Sequence, residues 1–247
     1  MTETMAGPGA RLAPKERVAV AFDVETAAAA LAARERFGDD LGLAKIGPAL
    51  FVREGMPLVR AFLESGARVF LDLKFHDIPS VVGKAVEKAV DAGVDYLTVH
   101  AAGGPAMIEH AVTAAERGAT RVLAVTVLTS LNLDSWRAGA CPTEESVEDA
   151  VARLARLAVG AGAHGLVGSA HEIRRLRDVA GRDRVIVTPG IRMPGTAAPP
   201  DQSRTMTPDE AAREGSDILV VGRGVMQAAN PAAALRDVQR AIAEVGS

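Results

Sequence analysis

The sequence predicts an α/β protein that folds as one closed barrel of eight parallel strands, the (β/α)8 TIM barrel. Short apolar segments alternate eight times with Ala-rich segments of helical composition, and this alternation is typical of a parallel sheet covered by helices. The length of 247 residues suits eight such units. An open doubly wound sheet is the alternative, but no Gly-x-Gly-x-x-Gly follows the first strand, and the similar run at 160–165 precedes a strand instead.

The first four strand–helix units are marked by apolar runs and by residues that begin or end helices. Strands are predicted at 17–22, 43–47, 68–73 and 96–100, and helices at 26–37, 49–64, 79–92 and 105–116. Thr26 is a typical N-cap residue, and Pro79 fits the first turn of a helix. Gly66, Gly93 and Gly118 stand where a helix is expected to end before the next strand.

The last four units follow the same pattern but are separated by longer connections. Strands are predicted at 122–127, 165–168, 185–188 and 218–221, and helices at 145–159, 171–180, 208–213 and 231–244. The connections at 129–144 and 189–207 are unusually long, which is typical of binding loops. Residues 1–14, rich in Gly, Pro and Ala, are predicted to be a flexible tail, and residues 15–247 to be the barrel domain.

The composition argues against several classes of protein. Aromatic residues make up only 3% of the chain and the formal net charge is −3, so neither a stacking surface nor a basic surface for nucleic acid is expected. No apolar run approaches the ~20 residues of a membrane-spanning helix, and no signal peptide is evident. The single cysteine, Cys141, permits no intramolecular disulfide, which fits a reducing compartment and predicts a cytoplasmic protein.

The stretch at 69–80 combines charged residues with an apolar setting. Asp72 and Lys74 belong to a predicted buried strand and point the same way, because they are two residues apart. Asp77 follows just past the end of that strand. A structural salt bridge is one interpretation of the Asp72–Lys74 pair. The third charge favours a catalytic site, because two carboxylates near one ammonium form a net negative cluster that holds the lysine protonated.

Polar residues also lie within the last residues of, or just after, most of the other predicted strands, at the end of the barrel where TIM-barrel active sites lie. They are Asp23, Lys45, His100, Thr129, Ser130, Gly190, Arg192, Gly222 and Arg223. The turn at Gly222 and Arg223 predicts a phosphate site, because glycine lets backbone N–H groups approach an anion and arginine adds a charge-assisted bond. A tight turn with a surface arginine is the alternative. No histidine has the spacing of a zinc ligand, so no metal site is predicted.

The segment Asp72-Leu73-Lys74-Phe75-His76-Asp77-Ile78-Pro79 resembles the signature of the orotidine 5′-phosphate decarboxylase family. Further matches extend along the barrel, from Ala21-Phe22-Asp23-Val24 and Lys45-Ile46-Gly47 to Thr188-Pro189-Gly190-Ile191-Arg192 and Gly222-Arg223-Gly224. The resemblance implies decarboxylation of orotidine 5′-monophosphate to UMP, the last step of de novo pyrimidine biosynthesis. It further implies that no cofactor is needed and that the protein is a homodimer.

The resemblance also implies a role for each matching residue. Lys74 would donate a proton to C6 of the pyrimidine, Asp72 would lie beside the substrate carboxylate, and Asp77 would reach the neighbouring site across a dimer interface. The implied substrate-binding residues contact ribose (Asp23, Lys45), the pyrimidine (Thr129) and the phosphate (Arg192, Gln202, Gly222, Arg223). The chain departs from the family at Val81, which stands where a threonine hydroxyl usually reaches a ribose hydroxyl across the dimer.

Two other functions remain open from the sequence. A Mg²⁺-dependent phosphosugar decarboxylase of the same superfamily would share the Asp-x-Lys-x-x-Asp spacing, although Ile78-Pro79 and Asp201-Gln202 fit the orotidylate enzymes better. A non-catalytic barrel that binds a phosphorylated ligand is the second alternative. Loss of the lysine or of an aspartate would favour it, and all three residues are present.

Overall fold

Eight parallel strands close into a barrel in chain order, each strand pairing with the next and β8 pairing with β1. The structure, a computed structural model, describes residues 12–139, 145–193 and 205–245. Its strands are β1 (Val18–Ala21), β2 (Leu43–Ile46), β3 (Arg68–Phe75), β4 (Tyr96–His100), β5 (Arg121–Val125), β6 (Gly165–Val167), β7 (Val185–Thr188) and β8 (Ile218–Val221). The predicted (β/α)8 TIM barrel is confirmed.

Helices follow the strands and cover the outside of the barrel. Those in the described residues are α1 (Ala27–Phe37), α2 (Pro48–Glu64), α3 (Pro79–Ala92), α4 (Pro105–Ala115), α5 (Leu133–Gly139), α6 (Val147–Gly160), α7 (Ile173–Ala180), α8 (Pro208–Glu214), α9 (Arg223–Met226) and α10 (Pro231–Ala243). Helices α5 and α9 were not predicted, because each is a short segment within a connection whose apolar pattern is too brief to indicate a helix.

The ends of the early helices show which local signals determine the fold. Thr26 caps α1 by accepting a hydrogen bond from the backbone N–H of Ala29 at 3.2 Å. Gly93 ends α3 with a left-handed φ of 84°, as predicted for a glycine in that position. Gly118 does not act in this way, since α4 ends at Ala115 and Gly118 is not among the left-handed glycines.

The core has two layers that are separated by the barrel wall. Alternate strand residues point into the barrel, and the inner cluster is Ala19, Ala21, Leu43, Phe70, Tyr96, Leu123, Val125, Val167, Val185, Val187, Ile218 and Val220. The other strand residues pack outward against the helices. The small share of aromatic residues predicts an aliphatic core, yet Phe22, Phe37, Phe62 and Phe70 are fully buried, and the rings of Phe22 and Phe62 meet edge to face at 4.8 Å.

The described part of the chain begins at residue 12, shortly before β1. Residues 1–11 of the predicted tail lie outside the described residues, and a single 3-10 turn at Pro14–Arg17 leads into β1. Arg17 donates hydrogen bonds from this turn to the backbone carbonyls of Ser216 and Asp217, which closes the N-terminal end of the barrel. None of the described helices is both long enough and apolar enough to span a bilayer.

Candidate active site

A cavity of about 510 Å³ opens among the C-terminal ends of the strands. Of the predicted site residues that the structure describes, all but Asp77 line it: Asp23, Lys45, Asp72, Lys74, Thr129, Arg192, Gly222 and Arg223. The remainder of the wall is largely apolar, with Val125, Val167, Val187 and Val220 projecting from β5 to β8. A polar set of residues therefore meets an apolar wall in one pocket, which is the usual composition of a small-molecule site.

The charged centre of this cavity is a carboxylate held between two ammonium groups. Lys74 Nζ donates a hydrogen bond to Asp72 Oδ1 at 2.9 Å, and Lys45 Nζ lies 3.3 Å from Asp72 Oδ2. The side chains of Asp72 and Lys45 are each 12% exposed, whereas that of Lys74 is 32% exposed. Lys74 is thus the more accessible of the two ammonium groups at the cavity surface.

The protonation state of Asp72 follows from these neighbours. Burial by itself raises the pKa of a carboxyl group. Here the charges of Lys45 and Lys74, with hydrogen bonds from Lys74 and Thr98, outweigh burial and lower the pKa of Asp72 below its usual value. Asp72 is therefore ionised at neutral pH, and its carboxylate accepts the hydrogen bond from Lys74 Nζ.

The backbone at this point departs from a regular strand. Between the pairs Leu71–Leu97 and Phe75–Val99, β3 advances by more residues than β4, so β3 carries a bulge where Asp72 and Lys74 stand. Lys74 has a φ of 51°, and it is the single non-glycine residue with positive φ among the described residues. A left-handed residue with a side chain costs about 1–2 kcal/mol, so surrounding contacts must hold Lys74 in place.

Asp77 lies apart from the Asp72–Lys74 pair. Its side chain is exposed, and Oδ1 accepts a hydrogen bond from the backbone N–H of Ile78 at 2.6 Å. No ion pair joins Asp77 to Lys74 within the described part of the chain. The sequence predicts a net negative cluster of two carboxylates and one ammonium. Within one chain the cluster has the opposite balance, because Lys45 joins it from β2 and Asp77 does not.

The residues predicted to hold ribose and phosphate lie around the rest of the mouth. The side chains of Asp23 and Lys45 both lie beside Gly47, just after β2. A Cβ atom added to Gly47 would be 3.5 Å from Asp23 Oδ1 and 3.7 Å from Lys45 Nζ. Gly222 precedes the first turn of α9, with Arg223 as its first residue. Arg192 follows β7 on the same side of the cavity and donates its backbone N–H to Met206 O at 3.0 Å.

Gln202 is the other residue predicted to bind the phosphate. Gln202 and its neighbour Asp201 lie outside the described residues, which stop at 193 and resume at 205. Thr129, predicted to contact the pyrimidine, lines the cavity and is half-buried. The predicted phosphate side of the cavity thus consists, in the described residues, of Arg192, Gly222 and Arg223.

Two histidines stand beside the charged centre. The rings of His76 and His100 lie 5.5 Å apart, centroid to centroid. Burial lowers the pKa of His100, and the nearby charges of His76 and Lys74 lower it further against the opposing effect of Asp72. In residues 12–139, 145–193 and 205–245, no three His, Cys, Asp or Glu side chains form a group that could hold a metal ion.

The structure brings into the site two residues that the sequence did not indicate. Thr98 contacts both Asp72 and the backbone of Lys74, and Gln227 lines the cavity just after α9. Thr98 could have been found from strand alternation, since it stands two residues after the inward-facing Tyr96. Gln227 offered no comparable signal, because α9 was not predicted.

Comparison with known proteins finds a family model and several relatives that match most of the chain. The model of the orotidine 5′-phosphate decarboxylase / HUMPS family matches residues 16–238. The orotidine 5′-phosphate decarboxylase of Anaeromyxobacter sp. (strain K) is 48% identical over 225 residues, which cover 91% of this chain and 97% of that protein. That of Moorella thermoacetica is 44% identical over 237 residues, covering 92% of each.

A solved structure gives the same result. The crystal structure of orotidine 5′-phosphate decarboxylase from Lactobacillus acidophilus matches with a TM-score of 0.82 at 32% identity, covering 91% of this chain and 98% of that one. Its coverage shows that the likeness extends over the whole barrel rather than over the charged motif alone. The chain therefore belongs to the orotidine 5′-phosphate decarboxylase / HUMPS family.

Proposed function

We propose that this chain converts orotidine 5′-monophosphate to UMP and CO₂, the last step of de novo pyrimidine biosynthesis, without a cofactor. The observation that carries the proposal is the ammonium of Lys74, held 2.9 Å from the ionised Asp72 at the surface of the cavity. The named relatives support it, since those from Anaeromyxobacter and Moorella are called orotidine 5′-phosphate decarboxylase and match nine-tenths of the chain.

The chemistry asks the protein to stabilise a localised charge. When the bond from C6 to the carboxylate breaks, the electron pair remains on C6 in the plane of the ring, and CO₂ leaves. The ammonium of Lys74 stabilises this developing charge and then donates the proton that forms the C6–H bond. Neutral Lys74 regains its proton from solvent. Asp72 orients the Lys74 ammonium before the reaction through their ion pair.

The distribution of charge in the cavity suits a substrate with two anionic groups. Arg192, Arg223 and the turn at Gly222 would bind the phosphate at the ends of β7 and β8. Asp23 and Lys45 would contact the ribose, and Thr129 the pyrimidine. The phosphate contacts are remote from C6, so the binding energy released there can be used to hold the reacting carbon against Lys74. The apolar wall excludes water from part of the cavity and strengthens the electrostatic effect of the ammonium.

We further propose that the enzyme is a homodimer in which Asp77 completes the site of the neighbouring subunit. Support comes from the position of Asp77, which is exposed and not paired with Lys74 in its own chain. Two apolar residues stand next to it, Ile78 at 63% exposed and Val81 at 45% exposed, as expected of a surface that another subunit covers.

Mixing two inactive variants tests the shared site. Lys74→Ala and Asp77→Ala each disable every site of their own homodimer if Asp77 acts across the interface. Subunits exchanged between them form heterodimers in which one site has both residues intact, so about a quarter of all sites should regain activity. If Asp77 instead acts in its own chain, both sites of every heterodimer lack one residue and the mixture stays inactive.

We also propose that the enzyme acts in the cytoplasm. The support is indirect: one cysteine in the whole chain, Cys141, which fits a reducing compartment, and a reaction that belongs to nucleotide synthesis. Cys141 itself lies outside the described residues. Cell fractionation followed by the decarboxylase assay would locate the activity.

The proposed activity is tested by following the loss of orotidine 5′-monophosphate absorbance with and without EDTA. Turnover that EDTA leaves unchanged supports the proposal. Turnover of a phosphosugar that EDTA abolishes would instead indicate the Mg²⁺-dependent alternative. Binding of phosphorylated ligands without turnover would indicate a non-catalytic barrel.

A matched pair of variants then assigns the chemistry to Lys74. Lys74→Ala should lower kcat by at least about 10³-fold while the unfolding transition stays cooperative. Lys88→Ala is the control, because it also removes an ammonium paired with an aspartate, Asp91 at 3.2 Å, but on the exposed face of α3. Normal turnover in Lys74→Ala would remove Lys74 from the mechanism.

A further inference from the structure

The hydroxyl of Thr98 on β4 bridges the two parts of the charged centre. It donates a hydrogen bond to Asp72 Oδ1 at 2.9 Å and accepts one from the backbone N–H of Lys74, also at 2.9 Å. Thr98 is fully buried. A hydroxyl can donate and accept at the same time, whereas a side chain of equal shape without oxygen can do neither.

Thr98 lies opposite the bulge in β3. Thr98 stands between Leu97 and Val99, the two residues of β4 that pair with Leu71 and Phe75 on either side of the bulge in β3. A bulge leaves its extra residues out of the regular ladder of backbone hydrogen bonds. At this bulge the Thr98 hydroxyl accepts a hydrogen bond from the N–H of Lys74, the residue whose backbone has a left-handed φ of 51°.

The same hydroxyl also fixes the orientation of Asp72. Oδ1 accepts from both Lys74 Nζ and Thr98 Oγ1, while Oδ2 faces Lys45 at 3.3 Å. The carboxylate therefore has a defined partner on each oxygen and little freedom to rotate. One side chain thus contacts both the carboxylate and the backbone from which the Lys74 side chain extends.

We propose that Thr98 is a positioning residue for the decarboxylation: its hydroxyl holds the bulge and the Asp72 carboxylate so that the Lys74 ammonium is directed at the reacting carbon. This inference rests on the proposed function. Thr98 does not line the cavity wall, so its effect is transmitted through Asp72 and Lys74 rather than by contact with substrate. A displacement of about 1 Å at a reacting group can lower a rate about 10²-fold.

The decisive comparison is between Thr98→Val, which keeps the shape and removes the hydroxyl, and Thr98→Ser, which keeps the hydroxyl and removes the methyl group. We expect Thr98→Val to lower kcat by about 10²-fold, with KM little changed. Thr98→Ser should restore most of the wild-type kcat. The affinity for UMP, which lacks the carboxylate at C6, should be the same in all three proteins when measured by calorimetry.

A purely structural role for Thr98 predicts a different set of results. If the methyl group matters through packing, Thr98→Ser should be impaired at least as much as Thr98→Val, and UMP affinity should fall together with kcat. That result, or a Thr98→Val protein with wild-type kcat, would overturn the proposal. If Thr98→Val does not fold, comparing Thr98→Ala with Thr98→Ser distinguishes the same two roles. Both variants lack the methyl group, and only serine retains the hydroxyl.

Assays of the wild-type protein distinguish a failure of this inference from a failure of the proposed function. Wild type that folds and binds UMP but shows no decarboxylation of orotidine 5′-monophosphate would contradict the proposed function itself. Wild type that turns over the substrate, with a Thr98→Val variant of equal kcat, would contradict only the role of Thr98.

Discussion

Lys45 Nζ lies 3.3 Å from Asp72 Oδ2, so a side chain predicted to bind ribose also forms part of the charge balance around the central aspartate. Each oxygen of Asp72 then faces its own ammonium group, Lys45 on one side and Lys74 on the other. One carboxylate between two ammonium groups leaves a net positive centre within the chain. In the proposed homodimer, Asp77 of the neighbouring subunit would bring this centre to two carboxylates and two ammonium groups.

Removing the charge of Lys45 should therefore impair the reaction and not only ribose binding. In Lys45→Met, Asp72 loses one of the two ammonium groups that lower its pKa, so its carboxylate is less firmly ionised and less firmly placed. We expect kcat/KM to fall about 10²-fold or more, the usual cost of one lost electrostatic contact in an active site. Steady-state assays with orotidine 5′-monophosphate measure this effect.

The control for this variant is Lys88→Met on the exposed face of α3, which should keep wild-type kinetics. A separate fall in kcat, in addition to any rise in KM, is the part that assigns Lys45 to the charged centre. A change confined to KM would show that Lys45 only binds ribose.

Arg223→Ala should weaken substrate binding much more than it weakens the fold. Arg223 is exposed at the cavity mouth and begins α9, where the proposed phosphate would lie. Loss of a charge-assisted hydrogen bond of about 1.5–3 kcal/mol should raise KM by roughly 10–100-fold. Binding of uridine, which lacks the phosphate, is the control and should be unchanged. Equal loss of UMP and uridine affinity would argue against phosphate binding by Arg223.

The fold could be predicted almost completely from local patterns. Strand periodicity located all eight strands, and residues such as Thr26 and Gly93 marked helix ends because their roles depend on neighbouring backbone groups. Helices α5 and α9 were missed because they are single short segments without a repeating apolar face. The strand β3 was predicted to end at 73 but continues to Phe75, because its bulge lets the ladder resume after Lys74.

The sequence predicted which strand-end residues meet in the cavity, but not how their side chains pair. Strand ends indicated which residues line the cavity, since a closed parallel barrel brings those ends together. The Lys45–Asp72 contact depends on the register between β2 and β3, and the Thr98 bridge depends on the bulge between β3 and β4. Both are relations between distant segments, which the sequence of any one strand does not contain. For the same reason Asp77 was grouped with Lys74 by its spacing alone.

Val81→Thr should leave kcat nearly unchanged. Val81 lies in the first turns of α3 with 45% of its surface exposed, and it stands where the family usually has threonine. The restored hydroxyl would add one ribose contact across the proposed dimer, remote from C6, so a modest fall in KM is the expected result. Steady-state kinetics measure both constants. A large rise in kcat would show that this position influences the chemical step.

His100 should make the fold less stable as the pH falls below about 6.5, the value for an unperturbed histidine. Its pKa is lowered in the folded state, by burial first and then by His76 and Lys74, with Asp72 opposing. The unfolded chain therefore takes up a proton at a pH where the folded protein does not, and this uptake favours unfolding. Above that pH both states are neutral at His100 and the effect disappears.

The test compares wild type with His100→Gln by chemical denaturation at pH 8 and at pH 5.5. We expect the free energy of unfolding to fall less between these two pH values in His100→Gln than in wild type. His164, whose pKa is also lowered by burial, is present in both proteins and cancels in the comparison. Equal losses of stability in the two proteins would show that His100 titrates normally in the fold.

The ion pair between Arg177 and Asp217 should matter for stability and not for catalysis. The side chains are 4% and 2% exposed, and Asp217 also accepts the backbone N–H of Ile186 at 2.7 Å. Arg177 donates further hydrogen bonds to the carbonyls of Gly181 and Arg184 at 2.8 and 2.9 Å. The pair thereby joins α7 to the starts of β7 and β8, at the end of the barrel opposite the cavity.

Asp217→Asn should lower the free energy of unfolding by about 3–5 kcal/mol, because it leaves the buried guanidinium of Arg177 without a compensating charge. Asp91→Asn, which breaks an exposed pair with Lys88, is the control and should cost less than about 1 kcal/mol. Urea denaturation measures both. At temperatures where Asp217→Asn remains folded, its kcat and KM should equal those of wild type, since the cavity lies at the other end of the strands. A loss of activity without a loss of stability would mean that the two ends of the barrel are coupled.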